Sequence, residues 1–368
     1  MSNVAPRRLL KAAFGFTVFP LVLFASPPAG VLDEVHPSVR AVMAVQREVT
    51  GHWMRQPEVL GTAVTVNSVG GTALTVYIDR DSAKAADAVR SLPQQYRGVG
   101  VQIHLTDKFR AMRRTRRHRR VIPTVSHNVM QTPPIQLGTS GGWSKDLANG
   151  FCCGGTLGSL VQIGGEQYIL SNYHVLESDI VPGGNNAVAT TSDEIIQPAL
   201  IDTRCSVDDA QSVATLETRS ALPNNNVDCA IAKVTPGMVR ADGAILEIGT
   251  ISSQTVVASI GQAVKKSGRT TGLTHSFVAG LNATISVTYD DECAGSTAFT
   301  KIFTGQIVVS KGGTGGFLAA GDSGSLLVED VTVNPRAIGL LFAGSSTDAI
   351  ANPIDDVLTF LGATMVGN

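Results

Sequence analysis

Gly321-Asp322-Ser323-Gly324-Ser325 sets a serine between two glycines, directly ahead of the apolar run Leu326-Leu327-Val328. A serine hydroxyl attacks a carbonyl only when its side chain is accessible and backbone N–H groups wait for the oxyanion that forms. Gly321 can adopt backbone angles closed to other residues, so its N–H can share one hole with that of Ser323. The competing explanation is a tight Gly-Ser turn, in a chain with 38 glycines. A base and an acid in the right places decide between the two. His174 ends the run Tyr168-Ile169-Leu170-Ser171-Asn172-Tyr173-His174, which follows Cys153-Gly154-Gly155-Thr156-Leu157, an apolar stretch and a Gly164-Gly165 turn. Two short strands joined by that turn project the imidazole at a strand end. Asp228 heads the apolar run Cys229-Ala230-Ile231-Ala232. A carboxylate at the start of a buried strand needs a hydrogen-bond donor. An imidazole Nδ1–H supplies one, and the pairing fixes the tautomer that leaves Nε2 as base. Asp202, Asp208 and Asp209 compete for the role, but they lie in polar sequence with no strand after them.

These four segments resemble the trypsin-like (chymotrypsin-fold) serine endopeptidases, with the chain order His, Asp, Ser of that fold. The resemblance covers roughly residues 150–365. Ser267-Gly268-Arg269-Thr270-Thr271-Gly272-Leu273 and Ala351-Asn352-Pro353-Ile354 are similar to a bacterial, plant and fungal branch that also carries an N-terminal α/β domain. The resemblance implies a mostly β protein, a double six-stranded β-barrel preceded by a small α/β domain. It implies peptide-bond hydrolysis through an acyl-enzyme, with His174 as general base, Asp228 as its orienter, Ser323 as nucleophile, and the N–H groups of Gly321 and Ser323 as oxyanion hole. It places the base of the primary substrate pocket near Phe317 and the opposing wall at Phe342-Ala343-Gly344-Ser345, a strand whose backbone can pair an extended peptide. Neither segment carries an acid, which favours a small or apolar side chain over Arg or Lys. The chain departs from the pattern in three ways. Val175 stands where a cysteine often follows the histidine, so Cys153 lacks its usual partner. Ser325-Leu326 replaces Gly-Pro. No Ile-Val-Gly-Gly start is visible, Val121-Ile122-Pro123 after the arginine run being the nearest, so classical activation is not expected: either Asp322 finds another partner or cleavage only releases the N-terminal domain.

The elements that must position these residues are spread through 368 residues, with 43% hydrophobic and 16% charged content, enough for a sizeable core. Frequent Gly and recurring Val, Ile and Thr read as mostly β. Residues 1–30 hold Arg7, Arg8 and Lys11, then a short apolar run and small residues, the pattern of a secretory signal peptide and too short for a membrane span. That reading makes the protein secreted or extracytoplasmic; without it the chain is cytoplasmic. Residues 31–108 read as α-β-β-α-β, a pro- or regulatory domain. Residues 109–149 read as a linker, first basic (Arg110 to Arg120), then rich in Pro, Ser and Gly, and residues 150–368 as the protease domain. The basic run lacks interleaved aromatics and the net charge is −1, so nucleic acid is not the expected partner; peptide or protein substrate is. Five cysteines with no metal-ligand spacing argue against zinc, leave room for one bridge, and do not assign its partners. No cofactor or metal is expected. The alternative to an enzyme is a catalytically silent protease-like fold that holds extended peptides.

Overall fold

The structure is a computed structural model, and it describes residues 31–111, 125–148, 151–177, 189–289, 297–312 and 316–368. The signal-like segment 1–30 and most of the basic run, 112–120, lie outside the described residues. No described helix is long and apolar enough to cross a membrane.

The chain begins with helix α1 (Pro37–Trp53), strands β1 (Val59–Val66) and β2 (Thr72–Asp79), helix α2 (Ala85–Ser91), and strands β3 (Gln95–Tyr96), β4 (Val99–Thr106) and β5 (Phe109–Ala111). Pro37 opens α1 with its φ already helical, and the His36 ring accepts the Ser38 N–H. Val39, Val42, Val45, Val49 and Trp53 recur at helical spacing and pack on Val64, Leu74, Val76 and Ile78 of the sheet. Each such side chain stabilises by about 1.5–3 kcal/mol when fully buried.

The first barrel uses β6 (Thr139–Trp143), β7 (Leu147–Ala148), β8 (Phe151–Cys152), β9 (Gly155–Leu157), β10 (Ser159–Ile163), β11 (Glu166–Ser171), helix α3 (Tyr173–Leu176), β12 (Glu194–Gln197), β13 (Gln211–Glu217) and β14 (Ala230–Val234). β9 and β10 form one bent stave around Gly158, whose N–H reaches Leu170 O. Antiparallel ladders then close a ring: β6 with β9, β10 with β11, β11 with β14, β14 with β13, β13 with β12, and β12 back to β6. β7 and β8 form a separate ribbon. Leu157, Leu160, Ile169, Val213 and Ile231 fill the interior, each with no exposed surface.

The second barrel uses β15 (Ala263–Gly268), β16 (Gly272–Tyr289), β17 (Phe299–Ser310), β18 (Leu326–Glu329), β19 (Ala337–Gly344) and β20 (Asp348–Pro353), followed by helix α4 (Ile354–Leu361) and β21 (Thr364–Met365). It closes in the order β15, β16, β17, β20, β19, β18 and back to β15. The chain is thus mostly β, with two closed six-stranded barrels of chymotrypsin type. A closed barrel leaves no raw edge of its own.

The amino-terminal layer does not stand apart from this frame. β16 runs for 18 residues, well past the barrel wall, and β1 pairs with its far half (Gly61 with Ile285, Thr65 with Gly280). β2 and β4 continue the same sheet. Gln46 of α1 and Asn282 of β16 exchange two 2.8 Å bonds across the junction. Residues 31–368 form one compact unit.

The cysteines go further than expected from spacing. Cys152 is bridged to Cys205, Cys153 is also in a disulfide, and only Cys229, buried, is a free thiol among the described residues. The usual partner of Cys153 is still replaced by Val175, but the expectation of a single bridge is corrected, because Cys153 is bridged in addition to the Cys152–Cys205 pair. Burial, with Asp228 next to it, holds the Cys229 thiol well above its ordinary pKa, so it is inert.

Candidate active site

The β11–β14 register brings two of the three candidates together. Ser171 pairs with Ala230, so the end of β11 and the start of β14 lie side by side. Three residues beyond Ser171 comes His174, in the short helix α3; two residues before Ala230 comes Asp228. His174 Nδ1 lies 2.6 Å from Asp228 Oδ2. Asp228 has no exposed surface, so each of its oxygens must be satisfied by the protein. Oδ2 also accepts the Tyr289 hydroxyl at 2.8 Å, and Oδ1 accepts the Tyr173 N–H at 2.8 Å and, more loosely, the His174 N–H at 3.4 Å. The backbone of Asp228 is anchored as well: its N–H donates to Asn352 Oδ1 at 2.9 Å and its carbonyl accepts Asn172 Nδ2 at 2.6 Å. With Nδ1–H committed to the carboxylate, the neutral ring presents its lone pair at Nε2. Asp202, the rival acid, is elsewhere. It holds Arg269 through two bonds of 2.6 and 2.7 Å.

Ser323 comes from the second barrel but is gripped by the first. Thr156 of β9 donates its N–H to Ser323 O at 2.8 Å and its hydroxyl to Gly321 O at 2.9 Å. A Cβ on Gly155 would sit 2.6 Å from the Val175 side chain and 2.9 Å from Ser323 O, so only glycine lets the residue after His174 and the serine loop approach from two sides. Gly321 and Gly324 bracket the serine at φ +94° and +92°, a region costly for any residue with a side chain. The Ala320 carbonyl accepts the Thr270 hydroxyl at 2.6 Å. In a planar trans peptide the Gly321 N–H then points the opposite way, out of the Thr270 turn. Ser323 Oγ itself donates to Phe342 O at 3.4 Å, and the residue is 2% exposed.

Asp322 finds the partner that its sequence leaves open. Lys266 Nζ lies 3.2 Å from Asp322 Oδ2, both side chains wholly buried. The carboxylate also accepts N–H groups of Thr270 (2.8 Å), Thr271 (3.1 Å) and Ala319 (2.9 Å) and the Thr271 hydroxyl (2.7 Å). Burial pushes this carboxyl up, but Lys266 and the donors outweigh it and hold the pKa below the ordinary value. For Lys266, burial wins over Asp322 and lowers the pKa. The Gly268-Arg269-Thr270-Thr271-Gly272 turn joins β15 to β16, and the anion it cradles is the chain's own carboxylate.

The residues expected at the substrate pocket sit as follows. Phe317 is 2% exposed, in an apolar cluster with Val264, Val278 and Leu341. The Phe342 ring packs on Phe303 with centroids 4.8 Å apart, so Phe342 offers its carbonyl and not its side chain. Ala343 and Gly344 lie opposite Ala111 and Arg110 in an antiparallel ladder with β5.

Tyr289 and Lys266 carry no local sequence signal for these roles, while Thr156 and Asn352 lie in segments that carry the resemblance without indicating these bonds. Tyr289 is the last residue of an alternating strand, and its ring lies edge-on to His174 at 5.9 Å.

Residues 220–351 match the family described as the Nal1 C-terminal domain. No curated protein is similar to the chain in sequence. Among solved structures, a glutamic acid specific serine protease is 20% identical, over 63% of this chain and 100% of its own, with TM-score 0.41. Protease A of Thermobifida fusca is 17% identical, over 64% of this chain and 99% of its own, with TM-score 0.41. A chymotrypsin of Cellulomonas bogoriensis is 21% identical, over 58% of this chain and 91% of its own, with TM-score 0.36.

Proposed function

We propose that the protein is a serine endopeptidase acting through His174, Asp228 and Ser323. The observation that supports this most is the 2.6 Å pairing of His174 Nδ1 with a buried carboxylate, in the wall that also grips the glycine-bracketed serine. In this reading His174 Nε2 takes the Ser323 proton as Oγ attacks the scissile carbonyl. The N–H groups of Gly321 and Ser323 receive the oxyanion. The imidazolium, held by Asp228, returns its proton to the leaving amine, and an acyl-enzyme remains on Ser323. Water then attacks with the same base, and the acid product leaves. Substrates are peptides or proteins, with no cofactor in the cycle. The Cys152–Cys205 bridge and the signal-like amino terminus favour an oxidising, extracytoplasmic setting.

A fluorophosphonate tests the reading, because it phosphonylates only an activated serine. Intact mass and peptide mapping should place one adduct on Ser323. Labelling should vanish in Ser323→Ala and persist in Ser325→Ala. Equal labelling of both variants would reject Ser323 as nucleophile. No adduct on the wild-type chain would leave the silent, peptide-holding fold as the better reading.

Tyr289→Phe removes one donor to the triad carboxylate and keeps the ring. A hydrogen bond to a charged group contributes about 1.5–3 kcal/mol, so kcat/KM should fall roughly tenfold or more. A less satisfied Asp228 attracts the imidazolium proton more strongly, so the acid limb of the pH–rate profile should move to higher pH. An unchanged limb with lower activity would mean that Tyr289 only packs.

A further inference from the structure

The backbone that runs past the serine already has a partner. Arg110 of β5 pairs with Gly344 and Ala111 with Ala343, antiparallel. From Arg110 to Ala111 the ladder steps from Gly344 to Ala343, that is, toward Phe342, whose carbonyl lies 3.4 Å from Ser323 Oγ. β5 therefore runs at the nucleophile, on the edge and in the direction that an extended peptide adding to this strand would use. Each N–H and C=O on that edge serves one ladder at a time, so a peptide cannot pair with Ala343 and Gly344 while β5 does. The opposite edge of β5 pairs in parallel with Val287 and Thr288 of β16. Phe109, with no exposed surface, anchors the strand in the cluster that holds Phe342 and Tyr289.

We propose that β5 is a resident, substrate-like occupant of the peptide-binding edge, so that the intact chain is latent toward extended peptides and gains activity when β5 withdraws. This rests on the protease reading above. The withdrawal is local. β5 is three residues long, whereas the rest of the layer is held by the long β1–β16 ladder and the Gln46–Asn282 bonds and stays in place.

The test compares two readouts on the full chain: hydrolysis of extended fluorogenic peptides, and labelling of Ser323 by a small fluorophosphonate that needs no strand pairing. The variant replaces Phe109→Gly, Arg110→Gly and Ala111→Gly together, which keeps chain length while removing the anchor and the strand preference. If the edge is open in about 1–10% of molecules, kcat/KM for extended peptides should rise about 10–100-fold in the variant, with labelling changed far less. Hydrogen exchange should show protection lost at the β19 amide that faces β5 and kept at its neighbour, which faces β20. Peptide hydrolysis that is unchanged or lower, in a chain that still folds and still labels, overturns the proposal. Should the triple variant not fold, Phe109→Ala, which keeps every backbone group of β5, decides by the same ratio. Absence of labelling in every form, the wild type included, would count against the protease reading itself and would be distinguishable from a failure of β5 to obstruct.

Discussion

Asp228→Asn should lower kcat about 10⁴-fold while leaving KM and the fold nearly unchanged. The amide is the same size as the carboxylate, and its Oδ1 can still accept the Tyr173 N–H. Its NH₂, facing His174 Nδ1, can only donate. The ring must then carry its proton on Nε2, where a base toward Ser323 is needed, and the wrong tautomer becomes the ground state. The Tyr289 hydroxyl, which now donates to Oδ2, must turn away as well. The check is steady-state hydrolysis of a peptide substrate beside circular dichroism. A fall below about tenfold would show that the 2.6 Å contact orients nothing that limits the rate.

Lys266→Met should disable the serine loop from behind. The side chain keeps its length and loses its charge, so Asp322 remains buried with hydrogen bonds and no counter-ion. Breaking a wholly buried pair costs about 3–5 kcal/mol. In a domain of this size that is a fall in Tm of roughly 10 °C. Asp322 also sets the pH response. Its carboxyl is held below the ordinary value, so the stability it contributes is full above that value and is lost as pH falls through the lowered pKa. Without Lys266 the pKa rises, and the same loss comes at higher pH. Fluorophosphonate labelling of the variant should therefore fail at a pH where the wild type still reacts. Thermal melts and labelling rates across pH 3–7 read both effects. An unchanged acid limit would show that the Thr270, Thr271 and Ala319 donors suffice.

The candidate triad was legible because each member sits in a short run whose pattern has a local cause: glycines around Ser323, a strand end before His174, an apolar strand after Asp228. The strand-rich composition likewise announced a β protein. What stayed hidden depends on contacts far apart in sequence. Lys266 reads as a surface residue beside Lys265, and nothing nearby says that it faces a carboxylate 56 positions on. Tyr289 ends a strand whose alternation reveals a buried face but not that Asp228 lies across it. Period-two alternation identifies a strand, never its neighbour, which is why the pairing of β1 with β16 and of β5 with β19 was invisible. The Phe317 and Phe342 side chains illustrate a related limit. Their places along the chain follow from distance to Ser323, but rotation into the core is decided by packing on Phe303 and its neighbours.

The 18-residue span of β16 has a consequence for anyone trimming the chain. The segment before residue 109 resembles a detachable module by its helix-and-strand order, yet β1 supplies the hydrogen bonds for half of a strand whose tip touches the Asp228 carboxylate. Expressed alone, the two barrels would carry a bare, apolar-faced ribbon, an open seam for self-association. The leading portion of this protein is masonry, not wrapping.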